Sequence, residues 1–210
     1  MTELTTGETV DDPDATFPED RRQRVVDGMP WVTHAKALAL LPKPAGYECS
    51  LKPGAWPGVH NLLPPALRKR GLQPVGRLDQ DTTGLLLMTD DGPLLHQLTS
   101  PKKNVPKVYE VTCKYPVSDE QLRKLVDGVV LDDEPGIVKA DAAERVGDAE
   151  SCHLRLTLVQ GKYHQVKRMV AAVSNRVEGL HRSRIGRLSL PDDLPVGQWC
   201  WIEDPAIVLP

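Results

Sequence analysis

The sequence predicts an α+β fold with a largely antiparallel sheet. Alternating or continuous apolar segments predict strands, and a few short capped or amphipathic segments predict helices, at irregular spacing along the chain. The chain shows no internal repeat, and its 210 residues are enough to bury a core without disulfide bonds. No apolar run reaches the roughly 18 residues of a membrane span, so we expect no membrane segment.

The N-terminal residues 1–28 predict an acidic, disordered tail ahead of one domain over residues 29–210. Residues 1–20 contain seven acidic side chains and no Lys or Arg, which leaves 26 bases against 22 acids, or +4, for residues 21–210. Low apolar content with high net charge is typical of disorder. The overall charge of −3 therefore arises from the N-terminal residues, because residues 21–210 are net positive.

The first part of the domain predicts a buried segment and then a broken helix. Residues 35–41 (AKALALL) fit a buried strand or a short helix, and the prolines at 42 and 44 exclude a helix that continues past them. Residues 59–70 predict a short helix that is interrupted at Pro64–Pro65 and closed by Gly71.

The middle of the chain predicts two strands with a helix between them. Leu85–Thr89 (LLLMT) is short and apolar, which favours a buried strand, and residues 93–99 follow as a short helix. Lys107–Lys114 alternates as strands do. Ser118, with Gln121 three residues on, forms a capping-box pattern that predicts the start of another helix.

The last third predicts further strands around one helix. Residues 151–159 alternate strictly, and a helix is expected at about residues 165–174, where Val and Met recur at helical spacing. Two more strands are predicted at residues 184–190 and 198–203. Cysteines and histidines show no metal-ligand spacing, so we expect free thiols and no metal.

Three segments carry candidate chemistry. Val75–Gly92 places Asp79, with Arg77 beside it, in a polar loop that leads into the buried strand. Such loops often hold catalytic groups, although Asp and Thr between glycines are also ordinary turn residues. Tyr109 on the Lys107–Lys114 strand fits either a core ring or a stacking platform for a base.

The third segment is Gly161–Met169 (GKYHQVKRM), at a predicted strand–helix junction. Residues 162–187 contain seven bases and one acid, in contrast to the acidic N-terminus. Backbone N–H groups at a helix start attract anions, and the basic side chains add to this. The segment therefore favours contact with nucleic-acid phosphates over a merely solvated helix face.

Together these segments resemble the pseudouridine synthases that modify ribosomal RNA, above all the RsuA-type small-subunit branch. The matching blocks cover about residues 43–203 and occur in this order: KPAGY at 43–47, GRLDQDTTG at 76–84, LLLMTDDG at 85–92, KVYEV at 107–111, GKYHQVKRM at 161–169 and LHRSRIG at 180–186. A pattern of this length in this order is highly specific.

The resemblance implies a catalytic fold with a central mixed, mainly antiparallel sheet flanked by helices and loops. It implies that Asp79 is the catalytic aspartate, that Tyr109 stacks on the target base and that Lys167 pairs with the aspartate. Arg77 would hold the flipped-out nucleotide or fill its vacated place. No cofactor and no metal are implied. Further RNA-binding residues are expected among the basic side chains of the matching blocks, namely Lys43, Lys107, Lys162, His164, Arg168, Arg182 and Arg184.

The implied partner is ribosomal RNA or a pre-ribosomal particle, met by a monomeric enzyme in the cytoplasm. The favoured target is 16S small-subunit RNA, and 23S large-subunit RNA is the alternative. Relatives usually carry a small N-terminal S4-like RNA-binding domain, and the 42 residues before Lys43 are few and mostly unsuited to form one.

The chemistry of the implied reaction suits these residues. Isomerising uridine breaks the N1–C1′ bond and joins C5 to C1′ within one pocket, after the base has left its stack at a cost of a few kcal/mol. One ionised carboxylate suffices, acting either on C1′ or on the C2′ proton. A glycoside hydrolase typically needs two carboxylates, so Asp81 beside Asp79 keeps hydrolysis as a weaker alternative. A noncatalytic RNA-binding or ribosome-assembly factor is the other alternative.

Overall fold

The computed structural model describes residues 2–3, 23–26, 29–32, 34–132 and 134–209. The chain divides into two compact units, Met1–Ala37 and Leu38–Pro210. Most of the expected tail over residues 1–28 lies outside the described residues. The first unit holds a three-stranded antiparallel sheet in chain order, formed by β1 (Thr2–Glu3), β2 (Gln23–Val26) and β3 (Met29–Val32).

The second unit carries the site and combines a large sheet with four short α-helices. Its elements, in chain order, are β4 (Leu38–Lys43), α1 (Pro65–Arg70), β5 (Gln73–Pro74), β6 (Thr83–Thr89), α2 (Gly92–Thr99), β7 (Lys107–Cys113), α3 (Asp119–Asp127), β8 (Val129–Val130), β9 (Ile137–Val138), β10 (Ala142–Arg145), β11 (His153–Leu158), α4 (Gln165–Ala172), β12 (Val177–Ile185), β13 (Leu188–Ser189) and β14 (Cys200–Trp201).

The large sheet is mixed and mainly antiparallel, which confirms the expected fold class. Its strand order is β10-β11-β7-β12-β6-β4-β14, with β13 paired to β12 and β5 paired to β6, while β8 and β9 form a separate hairpin. Only the β6–β12 pair is parallel among the described strand pairs of this sheet. The start of β6 therefore lies beside the middle of β12.

The strands β4 and β6 form the centre of the core. Every residue of β4 is buried, and so is every residue of β6 after Thr83, which explains why both segments are apolar without alternation. The segment at residues 35–41, for which the sequence allowed a strand or a short helix, therefore forms a strand from Leu38 onwards. Pro42 fits in it, and its carbonyl accepts a hydrogen bond from the Gly197 amide at 2.9 Å.

The helices begin and end where the sequence indicates. A 3-10 turn at Val59–Leu62 precedes α1, which ends at Gly71 in the left-handed conformation. The capping box before α3 is present, because the Ser118 amide donates to Gln121 Oε1 at 3.0 Å and the Gln121 amide donates to Ser118 Oγ at 3.2 Å. The predicted helices at residues 93–99 and 165–174 are confirmed as α2 and α4.

The prediction of a strand at residues 184–190 is wrong in its bounds. The strand β12 begins earlier, at Val177, and a tight turn at Gly186 separates it from β13. Its burial does not alternate regularly, because the strand is central but carries polar side chains such as His181 and Arg182 into cavities. A period-of-two apolar pattern is absent for that reason.

No helix within the described parts of the chain is long and apolar enough to cross a membrane.

The parallel junction between β6 and β12 predicts a strict requirement for glycine at position 84. Gly84 has a φ of +104°, and a Cβ atom there would lie 2.3 Å from the carbonyl oxygen of Arg182. We expect Gly84→Ala to lower the free energy of unfolding in urea by about 3 kcal/mol or more. The control is Gly71→Ala, which also has a positive φ but meets no atom within 4 Å. Its expected cost is about 1 kcal/mol, and equal losses would contradict the steric argument.

Candidate active site

Asp79 lies in a tight turn that enters β6. The Thr82 amide donates to the Asp79 carbonyl at 3.1 Å, and the Gly46 amide donates to the Gln80 carbonyl at 2.9 Å. Leu78 is buried, with 6% of its surface exposed, and anchors the turn on its inner side. The carboxylate of Asp79 is consequently presented by a fixed backbone and not by a free loop.

Lys43, at the end of β4, fixes the same turn from within. Its side chain is fully buried, and the three N–H donors of Nζ are shared among four carbonyls, those of Asp79 at 3.0 Å, Gln80 at 3.1 Å, Thr82 at 2.8 Å and Pro44 at 3.0 Å. Burial lowers the pKa of this ammonium. The expected RNA contact of Lys43 is therefore corrected to a structural role, because its donors are committed to protein carbonyls.

The Asp79 carboxylate meets two side chains from the Gly161–Met169 segment. Oδ2 lies 3.1 Å from Lys167 Nζ, and Oδ1 lies 3.3 Å from His164 Nε2. Lys167 also binds Asp81, at 2.7 Å to Oδ1 and 2.9 Å to Oδ2. One ammonium thus bridges the two carboxylates of the DQD sequence, and the expected Asp79–Lys167 pair is formed.

Both partners of the Lys167–Asp81 contact are held in their charged forms. Burial opposes the charge on Lys167, but hydrogen bonds with Asp81 and Asp79 outweigh it and raise the pKa of the ammonium. Burial likewise opposes the charge of Asp81, and the contact with Lys167 lowers the pKa of that carboxyl. The bridge is therefore ionic at neutral pH.

A cavity of about 720 Å³ opens in front of Asp79. Tyr109 and Arg182, directly opposite each other on β7 and β12, both line it. Tyr109 is 8% exposed and Arg182 is 1% exposed. The guanidinium donates through Nε to the Leu85 carbonyl at 2.9 Å, and its Nη2 has no hydrogen-bond partner among the described residues. The cavity therefore has a tyrosine ring and a buried guanidinium in its wall.

The cavity is electropositive. Its lining includes five cationic side chains, which are Arg77, Lys107, Lys162, Lys167 and Arg182, against two acidic ones, Glu48 and Asp79. This excess of three positive charges suits a polyanionic ligand. Lys162 is ion-paired with Glu134, and Arg168 lies 3.5 Å from the same carboxylate, so part of the charge of this segment is already compensated.

Arg184 does not join this group of residues. It is exposed and lines a second cavity of about 860 Å³, together with Glu110, His181 and Ser183. That cavity contains mixed charges and lacks Asp79, so the smaller cavity holds the candidate chemistry. The LHRSRIG block thus sends Arg182 and Arg184 to different cavities, a separation that the charge pattern of the sequence does not reveal.

Sequence reasoning missed two contributors to the site. Tyr163 lines the cavity with 73% of its surface exposed, and Glu134 pairs with the basic segment from another part of the chain. Tyr163 lies inside a singled-out motif, but nothing local distinguishes it from a surface tyrosine. Within the described residues, no group of three or more His, Cys, Asp or Glu side chains could hold a metal ion.

Comparison with known proteins yields one family. A family model described as RNA pseudouridylate synthase matches residues 37–172. The ribosomal small subunit pseudouridine synthase A of Yersinia pestis is 45% identical over 160 residues, which are 76% of this chain and 66% of that protein. The ribosomal small subunit pseudouridine synthase A of Salmonella typhimurium is 42% identical over 174 residues, with 82% and 74% coverage. The chain thus spans 66–74% of the length of these two relatives.

Solved structures agree with this result. A crystal structure of a pseudouridylate synthase superposes with a TM-score of 0.74 at 32% identity, covering 96% of this chain and 85% of that one. A crystal structure of an archaeal box H/ACA ribonucleoprotein complex superposes with a TM-score of 0.54 at 17% identity, covering 77% of this chain and 51% of that one. The second likeness concerns the fold alone.

The buried ammonium of Lys43 predicts a large effect of its removal. We expect Lys43→Met to lower the free energy of unfolding by roughly 2–4 kcal/mol, because carbonyls of the Asp79 turn lose their donor. Urea denaturation measures this loss. The matched control is Lys69→Met, a replacement of an exposed lysine on α1, for which we expect a change within about 0.5 kcal/mol. An equally small change at Lys43 would contradict the structural role.

Proposed function

The chain belongs to the RNA pseudouridylate synthase family, and from this premise we propose that it isomerises a uridine of small-subunit ribosomal RNA to pseudouridine, with Asp79 as the catalytic carboxylate. The observation that carries the proposal is the position of Asp79 in an electropositive cavity, ion-paired with Lys167 and accompanied by the ring of Tyr109.

Lys167 Nζ, 3.1 Å from Asp79 Oδ2, holds the carboxylate in position. From there the carboxylate acts on the ribose of a flipped-out uridine, either by attack on C1′ or by removal of the C2′ proton. The freed uracil then turns within the cavity until C5 faces C1′, and the C5–C1′ bond forms as the Asp79–C1′ bond breaks or, in the second route, as a proton returns to C2′. C5 then loses its proton and N1 gains one, so the product is an isomer of the substrate and no group is transferred from outside. Water must be kept from C1′ during this step, because its attack there would give an abasic site.

The cavity wall supports binding of the extruded base. Tyr109 offers a ring face on which uracil stacks, a contact worth about 1–3 kcal/mol. Arg182, whose Nε is bonded to the Leu85 carbonyl, lines the same cavity and places a positive charge beside the base. Arg77, exposed at the rim, is assigned to the flipped nucleotide or its vacated place, and Lys107 to a phosphate.

The small-subunit target rests on the relatives from Yersinia pestis and Salmonella typhimurium, both named for the small ribosomal subunit. Free 16S RNA or a pre-ribosomal particle is the proposed partner, which implies action in the cytoplasm. The enzyme is proposed to act as a monomer. Large-subunit 23S RNA is the second candidate.

The decisive experiment treats 16S and 23S RNA separately with the protein and maps pseudouridine by carbodiimide primer extension. We expect one modified uridine in 16S RNA. Asp79→Asn should abolish it, with a loss on the order of 1,000-fold or more, because the carboxylate is the reacting group. Unchanged turnover by this variant would refute the catalytic assignment.

The matched control is Asp81→Asn, since Asp81 binds the same ammonium but is not part of the cavity wall. We expect it to retain activity within about tenfold. Thermal unfolding of both variants verifies that they fold. Binding of RNA without any modification would instead support an assembly factor, and release of free uracil would support a hydrolase.

Lys107 makes RNA binding sensitive to pH. Burial, with a smaller effect of Arg182, lowers the pKa of Lys107 to about 8. The ammonium is therefore mostly present at pH 7 and mostly lost at pH 9, whereas contact with a phosphate requires it. We expect RNA affinity, measured at constant salt, to fall by up to about tenfold between pH 7 and pH 9. Lys107→Arg, which stays charged, should remove most of this fall. A fall of the same size in that variant would refute the assignment.

A further inference from the structure

Tyr163 is the most exposed aromatic side chain at the cavity of Asp79. It has 73% of its surface exposed, whereas Tyr109 in the same cavity has 8%. The ring of Tyr163 stacks on the ring of His164, with centroids 3.8 Å apart and an angle of 21° between planes. One face of the tyrosine is thus covered by a neighbour, while most of the side chain meets solvent at the cavity.

The stack is joined to the catalytic group. His164 Nε2 lies 3.3 Å from Asp79 Oδ1, so the imidazole contacts both the tyrosine ring and the carboxylate. His164 adopts the left-handed conformation, with φ 47° and ψ 34°, which is uncommon for a residue other than glycine. Such backbone outliers are concentrated at functional sites. The residue with this conformation is also the one that contacts Asp79, immediately before α4 begins.

The turn that carries Tyr163 is tied down before any RNA arrives. The Lys162 amide donates to Gln165 Oε1 at 2.9 Å, and the Gln165 amide donates to the Lys162 carbonyl at 3.2 Å. Arg168 Nη1 donates to the Tyr163 carbonyl at 3.2 Å. A ring on such a turn loses little conformational freedom on binding, which favours a stacking contact.

We propose that the Tyr163–His164 pair is a stacking platform for the unpaired base next to the flipped-out uridine. This inference rests on the proposed function. The buried Tyr109 takes the target base inside the cavity, and Tyr163, exposed at the same cavity, takes a neighbouring base from outside. Aromatic platforms of this kind bind unpaired bases with little sequence preference, because every base has a stacking face.

The platform explains how the target strand is held open. When a uridine is extruded, its own stacking energy is lost, and the bases on either side lose their stacking contacts with it. A flanking base that stacks on Tyr163 recovers part of that loss, and it does so only when the strand is unpaired at this point. Tyr163 is therefore a positioning and specificity residue and not a catalytic one, since its contact precedes the chemistry.

The test compares Tyr163→Ala and Tyr163→Phe in steady-state pseudouridine formation on a target RNA fragment. We expect Tyr163→Ala to raise KM about 5- to 100-fold, the range that alanine substitution gives for a base–aromatic stack, with kcat within about twofold. Tyr163→Phe should restore KM, because the ring face remains. The control is Tyr115→Ala, which removes another exposed tyrosine, one outside the cavity wall.

A fluorescent base provides a second readout. 2-Aminopurine placed on either side of the target uridine should be quenched on binding of the wild-type and Tyr163→Phe proteins, and on one side the quenching should be lost with Tyr163→Ala. A selective fall in kcat would instead mean that Tyr163 acts through His164 on the chemistry, and it would overturn the platform. The platform would also be overturned if Tyr163→Ala and the wild-type protein had equal KM and equal quenching while the wild type formed pseudouridine. An inactive wild type would refute the proposed function instead.

Discussion

The site depends on one buried charge. Lys43 Nζ, with no exposed surface, holds the carbonyls of Asp79, Gln80 and Thr82 on a single ammonium. Its desolvation is costly, and four carbonyl dipoles offset the cost only if the turn keeps this shape. The turn is therefore coupled to the sheet through β4. In the proposed reaction the Asp79 carboxylate must be aligned with a ribose, and a backbone of this rigidity favours that alignment.

A second constraint is the parallel contact between β6 and β12. At Gly84 the two backbones approach so closely that a side chain would not fit. A Cβ atom at this position would lie 2.3 Å from the carbonyl oxygen of Arg182. This contact sets the end of the Asp79 turn beside Arg182, and the antiparallel contact of β12 with β7 sets Arg182 opposite Tyr109. Three distant segments of the chain thus reach one cavity through strand register alone.

The cations of the site differ in how far acidic side chains compensate their charge. Lys167 is shared by two carboxylates, and Lys162 is paired with Glu134, while Arg182 keeps a donor without a partner among the described residues. Paired cations organise the protein in the absence of RNA. The remaining positive charge, together with Tyr109 and Tyr163, forms a surface that is suited to an unpaired nucleotide strand and poorly suited to a compact apolar ligand. The exposed ring and the uncompensated cations therefore fit the RNA substrate of the proposed function.

The sequence by itself determined most of the architecture. Continuous apolar runs predicted β6, alternation predicted β7 and β11, and Ser118 with Gln121 predicted the start of α3, because these signals are local. Motif resemblance predicted that Asp79, Tyr109 and Lys167 belong together. The bounds of β12 escaped prediction, since a central strand that carries polar groups to cavities shows no apolar period.

Only the tertiary structure decided what each basic residue does. In the sequence alone, four basic residues of the matching blocks carry equivalent charges. In the structure Lys43 is buried against carbonyls, Lys107 and Arg182 line the cavity of Asp79, and Arg184 lines the other cavity. The exposure of Tyr163 and the pairing of Glu134 with Lys162 were equally invisible. The reason is that local patterns report the preferences of neighbouring residues, whereas burial, ion pairing and access to a cavity arise between segments that are far apart in the chain.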